Sequence, residues 1–214
     1  MRLDEARIRS KSLGPALLRR RSLLVAAASA SLATSAFFLP GAPEALAEDV
    51  AVPVNLQAEL FVKVAAYDKN LAARAGDRVR VMILQKPEIA ESVRATAQMQ
   101  KALSQLADIA GIPHETQIIF FTTAEDLASA VKTKRASVVY ITPGFDADIA
   151  AIAKALAGAS VLTVASLASY VPKRVVLGFD LVSGKPKLLV NVAQAKAQSV
   201  AFKPDVLKLM KVYE

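Results

Sequence analysis

Apolar residues along the chain follow two alternating periods. Four short runs are rich in apolar residues, as strands covered on both faces are, and they predict strands over residues 78–85, 115–122, 136–141 and 160–165. Before and between these runs, apolar residues recur at steps of three and four, which is typical of an amphipathic helix. Helices are therefore predicted over residues 54–75, 87–110, 124–135 and 146–157.

The alternation of strand and helix with short connections predicts the fold class. Consecutive strand–helix units with apolar strands build a parallel sheet whose right-handed crossovers place helices on both faces. We therefore expect an α/β domain with a mainly parallel four-stranded sheet, followed by a C-terminal antiparallel hairpin and a closing helix. The closing helix is predicted from Pro204 near its first turn and from a stripe of apolar residues, namely Val206, Leu209, Met210 and Tyr213.

The predicted hairpin joins residues 175–182 to residues 185–192 through Ser183 and Gly184, a small-residue pair that suits a two-residue loop. That loop places Phe179 opposite Leu188 and Asp180 opposite Lys187. Because side chains alternate between the two faces of a strand, one face of the hairpin is apolar and is expected to be buried.

The first 47 residues have the features of an export signal. A basic N-terminal segment and three consecutive arginines at residues 19–21 precede an uncharged run over residues 23–39. The small residues that follow predict cleavage after Ala47. The run is too weakly apolar to favour a stable membrane anchor. Arg20 and Arg21 resemble a twin-arginine signal, and the general secretory route is left open beside it. Residues 48–53 are then a linker, and residues 54–214 form one domain.

Removal of this signal changes the charge of the protein. The formal net charge is +8, and the first 47 residues hold 7 of the 27 basic and 3 of the 19 acidic residues, so the remainder carries +4. Its basic residues are scattered rather than clustered with aromatics, which argues against nucleic-acid binding. The chain has no cysteine, so disulfides, thiol chemistry and lipoprotein acylation are excluded.

A search for catalytic or metal-binding patterns finds none that is specific. The sole histidine, His114, lacks any metal-ligand spacing, and no phosphate-binding glycine loop or serine-nucleophile motif is present. Asp146 and Asp148 are explained by the dipole of a helix beginning there, and Asp68 is expected on a solvated helix face. No catalytic residue, metal or cofactor is predicted.

The remaining candidate is the crevice at the carboxyl ends of the parallel strands, where open α/β sheets bind ligands. The small polar or flexible residues expected there are Gln85, Thr122, Thr142, Gly144 and Ser166. They suit recognition of a small polar ligand, although Ser and Thr at such positions are also common helix caps.

The C-terminal part of the chain carries a family resemblance. A strand, a turn with Gly, a strand ending in Asn, an Ala-rich connection and a helix follow one another in LGFDLVSGKPKLLVNVAQAKAQSVAFKPDVLKLMKV, residues 177–212. With the first helix, LFVKVAAYDKNLAARAGDRVRVMIL, the chain from Leu56 to Val212 resembles the YfiR-like family of periplasmic proteins, in a branch with a Tyr-Asp-x-Asn-Leu first helix. The resemblance implies no catalytic residue.

Two hypotheses follow. The resemblance implies a non-enzymatic regulator in the periplasm of a Gram-negative-type envelope, which binds the periplasmic part of an inner-membrane signalling protein, such as a diguanylate cyclase, and so acts on cyclic di-GMP and biofilm formation. The first helix is the expected partner surface, and a homodimer is left open. The alternative is a periplasmic small-solute-binding module that uses the carboxyl-end crevice.

Overall fold

Seven strands form one mixed sheet in the computed structural model, which describes residues 52–214. The strands are β1 (Val79–Gln85), β2 (His114–Phe120), β3 (Val138–Ile141), β4 (Leu162–Ala165), β5 (Leu177–Val182), β6 (Lys185–Asn191) and β7 (Met210–Tyr213). Their order across the sheet is β2-β1-β3-β4-β5-β6-β7. The predicted signal peptide, with Arg20, Arg21 and the cleavage after Ala47, lies outside the described residues.

Strands β1 to β5 are parallel, β6 runs antiparallel to β5, and β7 runs parallel to β6. The α/β class, the mainly parallel sheet and the antiparallel hairpin are thus confirmed, whereas the expected count of four parallel strands is too low. The helices are α1 (Val54–Ala65), α2 (Leu71–Ala75), α3 (Ala90–Ser104), α4 (Ala124–Thr133), α5 (Ile149–Ala155), α6 (Val192–Ala197) and α7 (Pro204–Leu207).

Helices cover both faces of the sheet, and each face has its own hydrophobic core. In β1, Val81 and Ile83 belong to the core beneath α1 and α3, whereas Met82 and Leu84 belong to the core beneath α4 and α5. Strand β3 alternates in the same way. This two-sided burial explains why the central strands are nearly unbroken apolar runs, since neither face meets water.

The hairpin has the predicted register. Phe179 lies opposite Leu188 and Asp180 lies opposite Lys187. Ser183 and Gly184 both have positive φ angles, 51° and 73°, as the central residues of a type I′ hairpin turn do. The other face is not wholly polar, however, because Leu189 is buried in the second core.

The end of the chain differs from the sequence-based prediction. In place of a closing helix, the four-residue α7 is followed by strand β7, which pairs Met210 with Leu188 and Val212 with Val190. Met210 and Val212 are apolar residues two positions apart, as in a strand, so over so short a segment the strand period and the helix period cannot be distinguished. Pairing with β6 decides between them, because it satisfies the backbone of both strands.

The predicted first helix is interrupted. Helix α1 ends at Ala65, and residues 67–69 leave the helix to pair with the C-terminal segment: Lys69 N donates to the Ala201 carbonyl at 2.9 Å, and Lys203 N donates to the Tyr67 carbonyl at 2.9 Å. Asp68 is therefore not on a solvated face. Its carboxylate is buried, accepts hydrogen bonds from the backbone of Asn70 and Ala201, and forms an ion pair with Arg74 of α2.

Candidate functional site

The carboxyl ends of the parallel strands do bring together the residues predicted to line a crevice. Gln85 ends β1, and Thr142 and Ser166 directly follow β3 and β4. The hydroxyl of Thr142 already has partners within the protein. Thr142 Oγ1 donates to the Leu84 carbonyl at 2.6 Å and lies 2.6 Å from Ser92 Oγ, and both hydroxyl-bearing residues are fully buried.

Ser166 belongs to a second buried network. Its backbone carbonyl accepts from Gln57 Nε2 at 3.0 Å, and Gln57 Oε1 accepts from the Tyr140 hydroxyl at 2.9 Å. Complete burial raises the pKa of Tyr140, so this hydroxyl stays protonated and remains a donor. The Ser166 hydroxyl is buried and has no partner among the described residues.

Gly144 is packed against a side chain. Its φ of 93° lies in the left-handed region, and a Cβ added there would lie 2.4 Å from Ile89 Cδ1. The isoleucine that precedes α3 therefore occupies the space above this glycine. Ligand access at this point would need movement of Ile89.

Lys86, one residue beyond β1, has its ammonium group beside two aromatic rings at this edge. Its Nζ lies 2.5 Å from Asp148 Oδ2, 4.9 Å from the centre of the Phe145 ring and 5.6 Å from that of Phe121. A carboxylate and two aromatic rings thus both attract this ammonium group and fix its position. Asp148 directly precedes α5, which begins at Ile149. The helix dipole therefore explains only part of its role, since Asp148 also forms the ion pair with Lys86.

Thr122 and Thr123 serve the start of α4. Both hydroxyls donate to Asp126 Oδ2, at 2.7 and 2.9 Å, and Thr123 Oγ1 accepts from Asp126 N as the N-cap of α4. These bonds, that from Thr122 most strongly, lower the pKa of the exposed Asp126 carboxyl. Binding at Gln85, Thr122, Thr142, Gly144 and Ser166 stays a prediction. The hydrogen bonds observed at this edge are structural ones within the protein.

A larger cavity lies at the opposite end of the sheet, where the parallel strands begin. It has a volume of about 1100 Å³ and is lined by small residues and by polar side chains from both strand and helix ends. The polar residues include Asn70 and Arg74 at α2, Arg80 of β1, Lys132 and Arg135 at the end of α4, and Ser199 after α6. We call it the amino-end cavity. No sequence pattern predicts this cavity, because its lining residues lie far apart in sequence.

Exposed apolar side chains mark a different surface. Leu209, directly before the edge strand β7, is 65% exposed, and Val212, within that strand, is 48% exposed. At the other edge of the sheet, Phe120 of β2 is 63% exposed. An edge strand also presents backbone N–H and C=O groups that have no partner within the sheet, so each edge is able to accept another chain.

The described part of the chain has neither a cluster of metal-ligating side chains nor a membrane-spanning helix. Residues 52–214 contain no group of three or more His, Asp or Glu residues able to hold a metal ion. No helix within that range has the length and apolar character needed to cross a bilayer.

The family model described as YfiR/HmsC-like matches residues 55–211, nearly all of the described chain. The chain belongs to the YfiR/HmsC-like family. This confirms the resemblance drawn from the sequence, and the family is a periplasmic, regulatory one that is not known for enzymes. A comparison with curated protein sequences gave no significant match.

Several solved structures share the fold. A conserved domain protein from Vibrio cholerae has a TM-score of 0.54 at 15% identity, with 78% of this chain and 61% of that chain covered. An ABC domain in complex with L-Trp from Streptococcus pneumoniae has a TM-score of 0.53 at 11% identity, with 76% and 62% covered. A ligand-free, open substrate-binding protein with adhesive properties from Clostridium difficile has 0.54 at 12%, with 76% and 60% covered. The chain thus spans about three fifths of each, and the likeness concerns the fold alone.

Proposed function

We propose that this protein is a non-enzymatic regulator, exported to the periplasm, which binds the periplasmic part of an inner-membrane signalling protein, a diguanylate cyclase being the family expectation. The observation that carries the proposal is the family match over residues 55–211, which spans almost the whole folded domain. The export signal predicted over residues 1–47 supports the same location.

The chemistry of the described residues supports binding over catalysis. His114 Nε2 lies 3.1 Å from the Leu103 carbonyl in a structural contact, and Lys86 is held by Asp148. Nucleophilic or acid–base catalysis needs a reactive group beside a base or acid in an open cleft. At the carboxyl-end crevice, the hydroxyls of Thr142 and Thr122 instead donate to the buried Leu84 carbonyl and to the Asp126 carboxylate.

The edge strand β7 is the surface that best suits a protein partner. It offers an unpaired backbone edge together with Leu209 and Val212, and a partner segment could extend the sheet there while covering both apolar side chains. The exposed side of α1, the partner surface expected from the sequence, is more polar: Asn55, Glu59 and Lys63 are exposed, whereas Phe61 and Val64 are buried.

Crosslinking in intact envelopes tests this function. The wild-type protein should capture an inner-membrane protein with a cytoplasmic cyclase domain, and deletion of the gene should change cyclic di-GMP levels and biofilm formation. Leu209→Asp should abolish capture without loss of folding, because the side chain is mostly in water. Val182→Asp, at the hairpin tip and 54% exposed, is the matched control. Unchanged cyclic di-GMP together with no captured membrane protein would refute the proposal.

A small-solute-binding module is the second candidate, favoured by the fold shared with substrate-binding proteins. Those proteins are longer than this chain, and receptors of that kind close two lobes around a ligand. Native mass spectrometry of the exported protein separates the candidates. A co-purifying small molecule favours solute binding at the carboxyl-end crevice if Thr122→Val, at an exposed position of that crevice, releases it. The same spectra show whether the protein is a homodimer.

A further inference from the structure

The amino-end cavity has more positive than negative charge. Arg74 is neutralised by its ion pair with Asp68, and Arg80 by Asp77 at 3.2 Å. Lys132 and Arg135 form no ion pair with any residue in the range 52–214. Two uncompensated cations therefore border a cavity that is large enough for a small molecule.

Helix dipoles explain only part of this arrangement. Helices α4 and α5 both end beside the cavity, and their terminal carbonyls attract cations, which accounts for Lys132 in the last turn of α4. They do not account for Arg135. That residue lies beyond the helix and has a φ of 50°. Residues with a Cβ atom adopt this left-handed region only at a cost in free energy.

Four helix ends beside the cavity are followed by a residue with a positive φ. Two of them have the expected glycine, Gly76 after α2 and Gly158 after α5, with φ angles of 63° and 85°. The other two have Arg135 and Ser199, with φ angles of 50° and 54°. At two of these four positions, a polar side chain thus borders the cavity where glycine would adopt the positive φ without strain.

Arg74 provides an independent observation. Its side chain is 2% exposed, its Nε donates to the Ser137 carbonyl at 3.1 Å, and its Nη2 contacts Asp68. Its remaining nitrogen, Nη1, is buried without a hydrogen-bond partner among the described residues. A buried guanidinium nitrogen without a partner is rare in a native structure. Arg74 lines the cavity, and a small movement of its side chain would let Nη1 donate a hydrogen bond to an oxygen of a bound anion.

We propose that the amino-end cavity binds a small organic anion through a carboxylate or phosphate group, with Lys132 and Arg135 as its charge partners and Arg74 Nη1 as a further donor. The small lining residues, such as Ala73, Ala128 and Ala155, leave room for the uncharged part of the ligand. The site is at the end of the sheet opposite to the crevice used by open α/β folds. It does not depend on the partner proposed above.

Isothermal titration and thermal unfolding of the purified exported protein test the site. The probes are citrate for a carboxylate source, glucose 6-phosphate and inorganic phosphate for a phosphate source, and glucose as the neutral control. We expect saturable binding of citrate or glucose 6-phosphate with a Kd below about 1 mM, weakening as sodium chloride is raised, and no binding of glucose.

Two variants locate the binding. Arg135→Gly should reduce affinity at least about tenfold. It should leave the thermal unfolding midpoint unchanged or raised, because glycine adopts the left-handed conformation without strain. Lys132→Gln should weaken binding similarly. Lys134→Gln is the matched control, since this exposed lysine lies at the same helix end but does not line the cavity.

Three results would overturn the proposal. The first is the absence of saturable binding by all three anions. The second is binding that both Arg135→Gly and Lys132→Gln leave unchanged. The third is equal weakening by Lys134→Gln, which would reveal a diffuse effect of net charge rather than a site.

Discussion

Asp68 and Arg74 form an ion pair whose side chains are 0% and 2% exposed. The same carboxylate accepts the backbone N–H of Ala201 at 3.1 Å, so one residue joins the turn after α1 to α2 and to the segment before α7. This explains the Tyr-Asp-x-Asn-Leu pattern of the first helical region. Its Asp and Asn hold the C-terminal segment, since Asn70 Nδ2 also donates to the Ser199 carbonyl at 2.9 Å.

Replacement of Asp68 should be strongly destabilising. Asp68→Ala leaves the Arg74 guanidinium buried without a counter-charge, and we expect the free energy of unfolding to fall by about 3 to 5 kcal/mol. Chemical denaturation monitored by circular dichroism measures the loss. Lys69→Ala, with its exposed side chain next in the chain, is the control and should change stability by less than about 0.5 kcal/mol. Equal effects would mean that the ion pair contributes little.

Phe179 tests the buried face of the hairpin. Its side chain lies in the first core opposite Leu188, so Phe179→Ala should cost about 3 to 5 kcal/mol through lost burial and the cavity left behind. Val182→Ala, near the exposed tip of the same strand, should cost less than about 1 kcal/mol. Urea unfolding of both variants makes the comparison, and a loss under about 1 kcal/mol for Phe179→Ala would contradict its burial.

Local signals made the hairpin and most of the sheet predictable. The Ser183 and Gly184 turn fixes the register through backbone geometry within a few residues, and alternation selects the buried face. Strand β7 was missed because its four residues fit two periods, and only pairing with β6 distinguishes them. The environment of Asp68 depends on Ala201, which lies 133 positions away, so no local pattern reveals it.

The candidate sites were predictable to different degrees. The polar residues at the carboxyl ends of the strands follow from topology, which sequence periods indicate, but their hydrogen bonds to Leu84, Ser92 and Asp126 do not. The amino-end cavity arises where the ends of α2, α4, α5 and α6 meet. Arg135 and Ser199 have positive φ angles there, a conformation that favours glycine. The sequence does not reveal this, because it contains no backbone angles.

Gly144 should tolerate alanine poorly. A methyl group there meets Ile89 and also forces a left-handed φ on a residue with a Cβ. We expect Gly144→Ala to lower the free energy of unfolding by about 2 to 5 kcal/mol, the sum of strain and overpacking. Gly184→Ala is a matched control, because its φ is 73° but nothing lies within 4 Å of the added Cβ. Thermal denaturation of the two variants separates steric contact from strain, and equal losses would show that Ile89 yields freely.

We expect Tyr170 to make the free energy of unfolding decrease in strong alkali. Burial raises the pKa of Tyr170 to about 12, from an ordinary value of 10.0. Between these two values the unfolded chain releases the phenolic proton while the folded protein keeps it. Because the unfolded state then binds fewer protons, its population grows, and stability falls as the pH rises from about 10 to 12.

The Tyr170→Phe variant isolates this effect. The hydroxyl accepts the backbone N–H of Phe145 at 2.9 Å, so its removal should cost about 1 to 3 kcal/mol at pH 7 by leaving that donor without a partner. The variant should also lose less stability than the wild type between pH 10 and 12, so the two curves converge. Tyr213→Phe, on the partly exposed edge strand, serves as the control and should follow the wild-type slope. Urea unfolding at intervals across this range makes the measurement, and parallel curves for Tyr170→Phe and wild type would show that the buried hydroxyl does not govern the alkaline loss.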